Sequence, residues 1–214
     1  MAAPSRKNQL LYEICLELGE CYAALGEVPA AEANFSEALT LQPTNPGPYI
    51  GLAKMALAQR HWEQAHFYLS QALKIIPEND EALGLLGTLL LKTGKPAAAW
   101  EEYNRALTLN PENREALLGL VQAISTPEQM SQATNYLMKY LDINLVDFPL
   151  LLKLAELLAR QGKIKEAQEA VEKVLLFQPD NLEALTLLQS IKGEEMNAAT
   201  LNEIKPRESL QPTI

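Results

Sequence analysis

With 27 acidic against 18 basic side chains in 214 residues, the chain carries a formal charge of -9 and an isoelectric point near 4.8. That field opposes nucleic-acid phosphates and anionic membrane faces, which leaves basic or neutral apolar partners. Hydrophobic residues make up 48% and aromatic ones 6%, and the richness in Ala and Leu favours helices over strands.

In chain order, residues 1–11 read as the N-terminal extension of a first helix. Glu13, Glu17 and Glu20 break the apolar core that a signal peptide would need after Arg6 and Lys7. No apolar run reaches the roughly 20 residues needed to span a bilayer, so no membrane insertion and a cytoplasmic location are expected. Cys15 and Cys21, six apart on one helix, point in directions that cannot bridge and are expected to be small buried hydrophobes.

From there one offset organises the chain. Ala31, Ala65, Ala99, Ala133 and Ala167 each stand 34 residues apart, as do Leu18, Leu52, Leu86, Leu120, Leu154 and Leu188. The punctuation repeats as well. Gly26, Gly94 and Gly162 sit where a first helix should end in a left-handed residue, and Pro43, Pro77, Pro111 and Pro179 close four of the five second helices. Asn45, Asn79, Asn113, Asp147 and Asn181 are then the expected N-caps of the following helices. The predicted helix pairs are residues 12–45, 46–79, 80–113, an irregular 114–147, and 148–181. The fourth departs at Val121, Tyr140 and Leu145, and its Ser125-Thr126-Pro127-Glu128 reads as a cap with proline at the first helical position. A lone capping helix is expected over 182–191 and a flexible tail over 192–214.

This pattern of bulky and small residues with a proline near the end of each unit resembles the tetratricopeptide repeat family, from about residue 12 to residue 191. The resemblance implies an all-α right-handed superhelical solenoid of antiparallel helix pairs, with five repeats and a C-terminal capping helix. It places first helices along a concave groove, faced by Leu16, Glu20, Ile50, Lys54, Leu57, Gly84, Thr88, Leu91, Leu118, Gln122, Leu152, Glu156 and Arg160. The aliphatic members of that set form an expected stripe of exposed apolar surface. Some relatives clamp a terminal carboxylate with Lys, Asn and Arg; the corresponding positions here include Leu16, Glu20, Glu81, Ile50, Leu85 and Glu115, so that clamp is not expected.

Catalytic groups do not converge. His61 and His66 are five apart and share no helix face, and no Cys or His set suits a metal. Gly84 and Gly87 fall inside a predicted helix, where they are expected to serve close packing rather than a phosphate loop. The chain is therefore expected to be no enzyme and to use no cofactor. It reads as a scaffold or adaptor that receives a peptide or amphipathic helix of another protein, or a copy of itself, and binds no nucleic acid. Alternatives are a secretion-type chaperone, or the repeat module of a larger glycosyltransferase or methyltransferase.

Overall fold

The computed structural model describes residues 5–204, with side-chain burial through Gly193. Ends of the expected extension and tail, residues 1–4 and 205–214, lie outside the described residues. Eleven α-helices and no strand occur among the described residues, in an all-α repeat array. They form two compact units, Met1–Gln129 and Met130–Ile214.

The first unit contains α1 (Arg6–Ala24), α2 (Val28–Leu41), α3 (Gly47–Ala58), α4 (Trp62–Ile75), α5 (Asp80–Lys92), α6 (Pro96–Leu109) and α7 (Arg114–Gln122). Each first helix packs on its own second helix, α1 on α2, α3 on α4 and α5 on α6, and the first helices α1, α3, α5 and α7 also touch in sequence. Helix α8 (Pro127–Ile143) starts at the end of this unit. Pro127 occupies its first position, and Thr126 accepts from the Gln129 amide at 3.2 Å while Gln129 accepts in return from the Thr126 amide at 3.3 Å. This reciprocal capping box satisfies two otherwise orphaned donors, and it explains why α7 is only 9 residues long.

The second unit holds most of α8 together with α9 (Phe148–Arg160), α10 (Ile164–Phe177) and α11 (Leu182–Ile204). Gln161, after α9, donates to Thr134 Oγ1 at 2.7 Å and so ties α9 to α8. One departure of the irregular repeat supports an expected cap: Tyr140 is buried, and its hydroxyl donates to Asp147, whose other carboxylate oxygen accepts from the Leu150 amide to cap α9. Helix α11 continues past Ile191, the expected end of the capping helix, to Ile204.

Helix ends follow the local chemistry. Gly26, Gly94 and Gly162 adopt φ of 77°, 77° and 76°. The amides of Glu27, Lys95 and Lys163 reach back to Tyr22, Leu90 and Leu158 carbonyls at 2.9 Å, which satisfies the last turns. Arg60 takes the same place after α3 with φ of 61° and no glycine to relieve it. Asn79, Asn113 and Asn181 accept from the amides three residues on at 2.7, 2.9 and 2.9 Å. Asn45 differs: its side chain accepts from Gly47, only two residues on, and Pro46 stands at the N-cap.

The first unit's core rests on two rings. Phe35 of α2 fills the space over Gly19 and Gly51, where added Cβ atoms would lie 2.7 and 2.5 Å from its Cε1. Tyr103 of α6 lies against Gly87 and Gly119 in the same manner. Both rings are essentially inaccessible, so truncating either would cost about 3–5 kcal/mol through lost burial and the cavity left behind. Cys15 is buried as expected, whereas Cys21 is exposed. Cys21 shares its face of α1 with Ile14, Leu18 and Leu25, which are exposed as well.

Candidate partner-binding hollows

In the first unit a hollow of about 620 Å³ is lined by Lys54, Leu57, Asp80, Glu81, Gly84, Leu85, Thr88, Asn110, Asn113 and Glu115. Helices α3 and α5 supply most of the lining; Asn110, Asn113 and Glu115 come from the turn before α7 and its start. The local sequence holds this rim in place. Asp80 accepts from Asn110 Nδ2 and Asn113 Nδ2, each at 2.9 Å, while Asn113 Oδ1 accepts from the Ala116 amide. One asparagine thus caps α7 and ties it to the first turn of α5.

The floor is apolar and the rim acidic. Leu57, Gly84 and Leu85 supply the floor, and Thr88 donates to the Gly84 carbonyl at 3.1 Å while accepting from the Tyr103 hydroxyl at 3.0 Å. Tyr103 thereby links the hollow to the glycine-lined core. Burial pushes its phenol above the ordinary tyrosine value, partly offset by the Thr88 hydrogen bond. At the rim Lys54 pairs with Glu81 at 2.5 Å, both half-exposed. Asp80 and Glu115 add two carboxylates, the latter 3.5 Å from the Arg114 guanidinium beside it, so negative charge exceeds positive among the lining residues.

Two glycines of α5 differ sharply. A Cβ on Gly87 would meet Tyr103 Cδ1 at 2.8 Å, whereas one on Gly84 would meet only Ala116 Cβ at 3.6 Å and Asn113 Nδ2 at 3.7 Å, ordinary contact distances. The sequence expectation of close packing holds for Gly87. At Gly84 there is room for a methyl group, and its absence deepens the hollow.

A second hollow, of about 420 Å³, lies within the second unit among Leu152, Glu156, Leu182, Glu183, Thr186, Leu187 and Ser190. Lys153 spans its helices, 3.2 Å from Glu156 and 3.9 Å from Glu183. Leu182, at 78% exposure, offers the most open apolar side chain there.

The thirteen expected groove residues divide accordingly. Lys54, Leu57, Gly84 and Thr88 come together around the first hollow, and Leu152 and Glu156 around the second. Ile50, at 5% exposure, belongs to the core with Ala53, Leu69 and Leu89 rather than to an open stripe. Leu152, at 3%, likewise forms a floor. Leu16 is partly buried against the packing of Phe35 and Leu52. Leu91 and Leu118 are half-buried and Glu20, Gln122 and Arg160 exposed, none of them lining either hollow. Six lining residues stand outside the expected groove set: Glu81, Leu85 and Glu115, which the sequence marked only as clamp-equivalent positions, and Asp80, Asn110 and Asn113, of which the recurring cap asparagines were the available signal for one.

Comparison with known proteins bears on this architecture. Tetratricopeptide repeat models match residues 29–86, 56–104 and 85–124, and also 12–45 and 148–181. The chain belongs to the tetratricopeptide repeat family. It is 33% identical over 122 residues to BBSome complex member BBS4 of Bos taurus, covering 57% of this chain and 23% of that protein. It is 26% identical over 207 residues to DnaJ homolog subfamily C member 3 of Homo sapiens, covering 88% and 41%. The chain therefore spans less than half the length of either relative. Among solved structures, Pseudomonas aeruginosa PilF superposes with a TM-score of 0.74 at 20% identity over 95% of this chain and 96% of that one. YrrB, described as a tetratricopeptide repeat protein with an unusual peptide-binding site, gives 0.61 at 21% over 80% and 89%. These structural likenesses establish the repeat fold.

Proposed function

We propose that this repeat protein is an interaction scaffold, and that the hollow between α3, α5 and the start of α7 receives a segment of a partner protein carrying apolar side chains beside a lysine or arginine. Gly84 carries the proposal. A glycine inside a helix costs roughly 0.5–1 kcal/mol relative to alanine, and here the surroundings would accept the extra methyl group. What the glycine provides is depth over an apolar floor, which suits an inserted side chain. The surplus carboxylates of the rim favour a cationic neighbour on that segment, and the lining presents no cationic array for a terminal carboxylate. The peptide binding described for YrrB is compatible with this use of the fold.

A second reading is a repeat module within a larger protein, favoured by the small share of each relative's length that the chain spans. Selection from a displayed random-peptide library tests the first. Wild type should enrich apolar-basic segments, and Gly84→Leu, which fills the hollow without adding charge, should abolish their capture while helicity and melting are retained. Enrichment of the same segments by folded Gly84→Leu would refute the assignment.

A further inference from the structure

A separate recess in the first unit shares no residue with the hollow around Lys54 and Gly84. It holds about 300 Å³ between α2 and α4, over the second half of α3. Its floor is Leu52 and Met55, both buried in the cluster around Phe35. Its walls are polar: Glu32 and Ser36 of α2, Gln59 at the C-cap of α3, and Gln64 and Tyr68 of α4. The Tyr68 ring packs against two apolar clusters and meets Phe67 edge-on at 5.5 Å, so it stands as a fixed wall.

The polar groups of this recess are unused by the protein itself. None of the five wall side chains hydrogen-bonds to another described residue, and Glu32 forms no ion pair with one. In the first hollow, by contrast, Lys54 holds Glu81, Asp80 holds two asparagines, and Thr88 joins Tyr103 to Gly84. One repeat beyond Gln59 and Tyr68, Thr93 donates to the Leu89 and Leu90 carbonyls and Glu102 pairs with Arg105. Convergent polar groups free to take a guest, over an apolar floor, are the marks of a ligand site. The set also selects the guest. Glu32 is the one charged group among the lining residues, and the Gln59 and Gln64 carbonyls and the Ser36 and Tyr68 hydroxyls add acceptors on every wall. An anionic guest would face Glu32 unpaired. A guanidinium brings one positive charge, five N–H donors and no acceptor, lies flat on an aromatic ring, and has a methylene stem that covers apolar surface. Arg60 and His61 of the adjoining turn line a different depression.

We propose that this recess takes an arginine side chain of a partner protein, with the guanidinium against Glu32 and Tyr68 and the stem over Leu52 and Met55. The test is an NMR titration of the full chain with N-acetylarginine N-methylamide. The side-chain amides of Gln59 and Gln64 report on the recess, and those of Asn110 and Asn113 on the first hollow. The Gln59 and Gln64 signals should shift saturably. In Glu32→Gln, which removes the charge at an exposed position and keeps the shape, the dissociation constant should rise by about tenfold or more. N-acetyllysine N-methylamide, a point charge without the planar fork, should also bind about tenfold more weakly. Free arginine carries a carboxylate that a peptide link lacks, and it should bind less well than the blocked form. No saturable shift up to about 10 mM, a decade above a millimolar constant, overturns the proposal, as does a folded Glu32→Gln that binds unchanged. Shifts confined to Asn110 and Asn113 overturn it too, by placing the guanidinium on the acidic rim of the first hollow. A lysine probe that binds equally overturns the choice of arginine, and tighter binding of free arginine overturns the choice of a protein partner.

Discussion

Gly84 and Gly87 stand three positions apart on α5, yet the two glycines answer to different demands. Gly87 is pressed beneath Tyr103 on the packed side of the helix, and any side chain there displaces a ring wedged against Gly119 as well. Gly84, itself buried, borders the hollow, and a Cβ there would make only ordinary contact with Ala116 and Asn113. One glycine is fixed by the core and the other borders the hollow as well as α7, so two glycines on adjoining faces of one helix meet different demands.

The contrast can be broken most forcefully at the ring itself. Tyr103→Ala should lower stability by about 3–5 kcal/mol, a large cavity effect readable by denaturant titration. Gly87→Ala should cost about 1–3 kcal/mol, since overpacking against a trapped ring outweighs the gain in helix propensity. An unchanged or raised midpoint for Gly87→Ala would mean that the ring moves freely and that the two glycines do not differ. Arg60→Gly offers a reference outside the helix, at the left-handed position that glycine fills in other repeats. Relief of that strain, about 1–2 kcal/mol per residue, exceeds the entropic cost of glycine, so a modest stabilisation is expected in thermal unfolding. Gly84→Ala should stabilise by about 0.5–1 kcal/mol, opposite in sign to its neighbour.

The smallest effect is alkaline. The folded-state pKa of Tyr103 lies above its unfolded value, so above about pH 10 the unfolded chain releases this proton first. Its contribution to stability is complete below that pH and lost as pH rises toward the folded pKa. Tyr103→Phe should flatten this alkaline decline, leaving any part due to Tyr12, whose pKa is also raised, mainly by burial and then by Glu13 and Glu20. An unaltered pH profile would show that Tyr103 is not held apart from solvent.

Much of the fold was legible because the repeat constrains helices locally: prolines end them, and Asn79, Asn113 and Asn181 cap them through side chains three residues from their targets. The hollow was less legible because its walls depend on side chains far apart in sequence. Asp80 meets Asn110 and Asn113 across about one repeat, and the Tyr103 wedge involves three helices at once. Ile50 shows the other limit. Its register suits a groove, but the neighbouring α4 and α5 close over it, and repeat position alone does not separate a groove residue from one in the seam between helices.

Titration of one library-selected apolar-basic peptide against wild type, Gly84→Ala and Gly84→Leu, by fluorescence anisotropy, tests the central claim most directly. Binding should weaken progressively as the side chain grows, with loss in Gly84→Leu of about tenfold or more, equivalent to at least 1.4 kcal/mol, even as Gly84→Ala becomes the more stable fold. Equal affinity for all three folded proteins would contradict the account and leave the depth at Gly84 without a role in holding the partner.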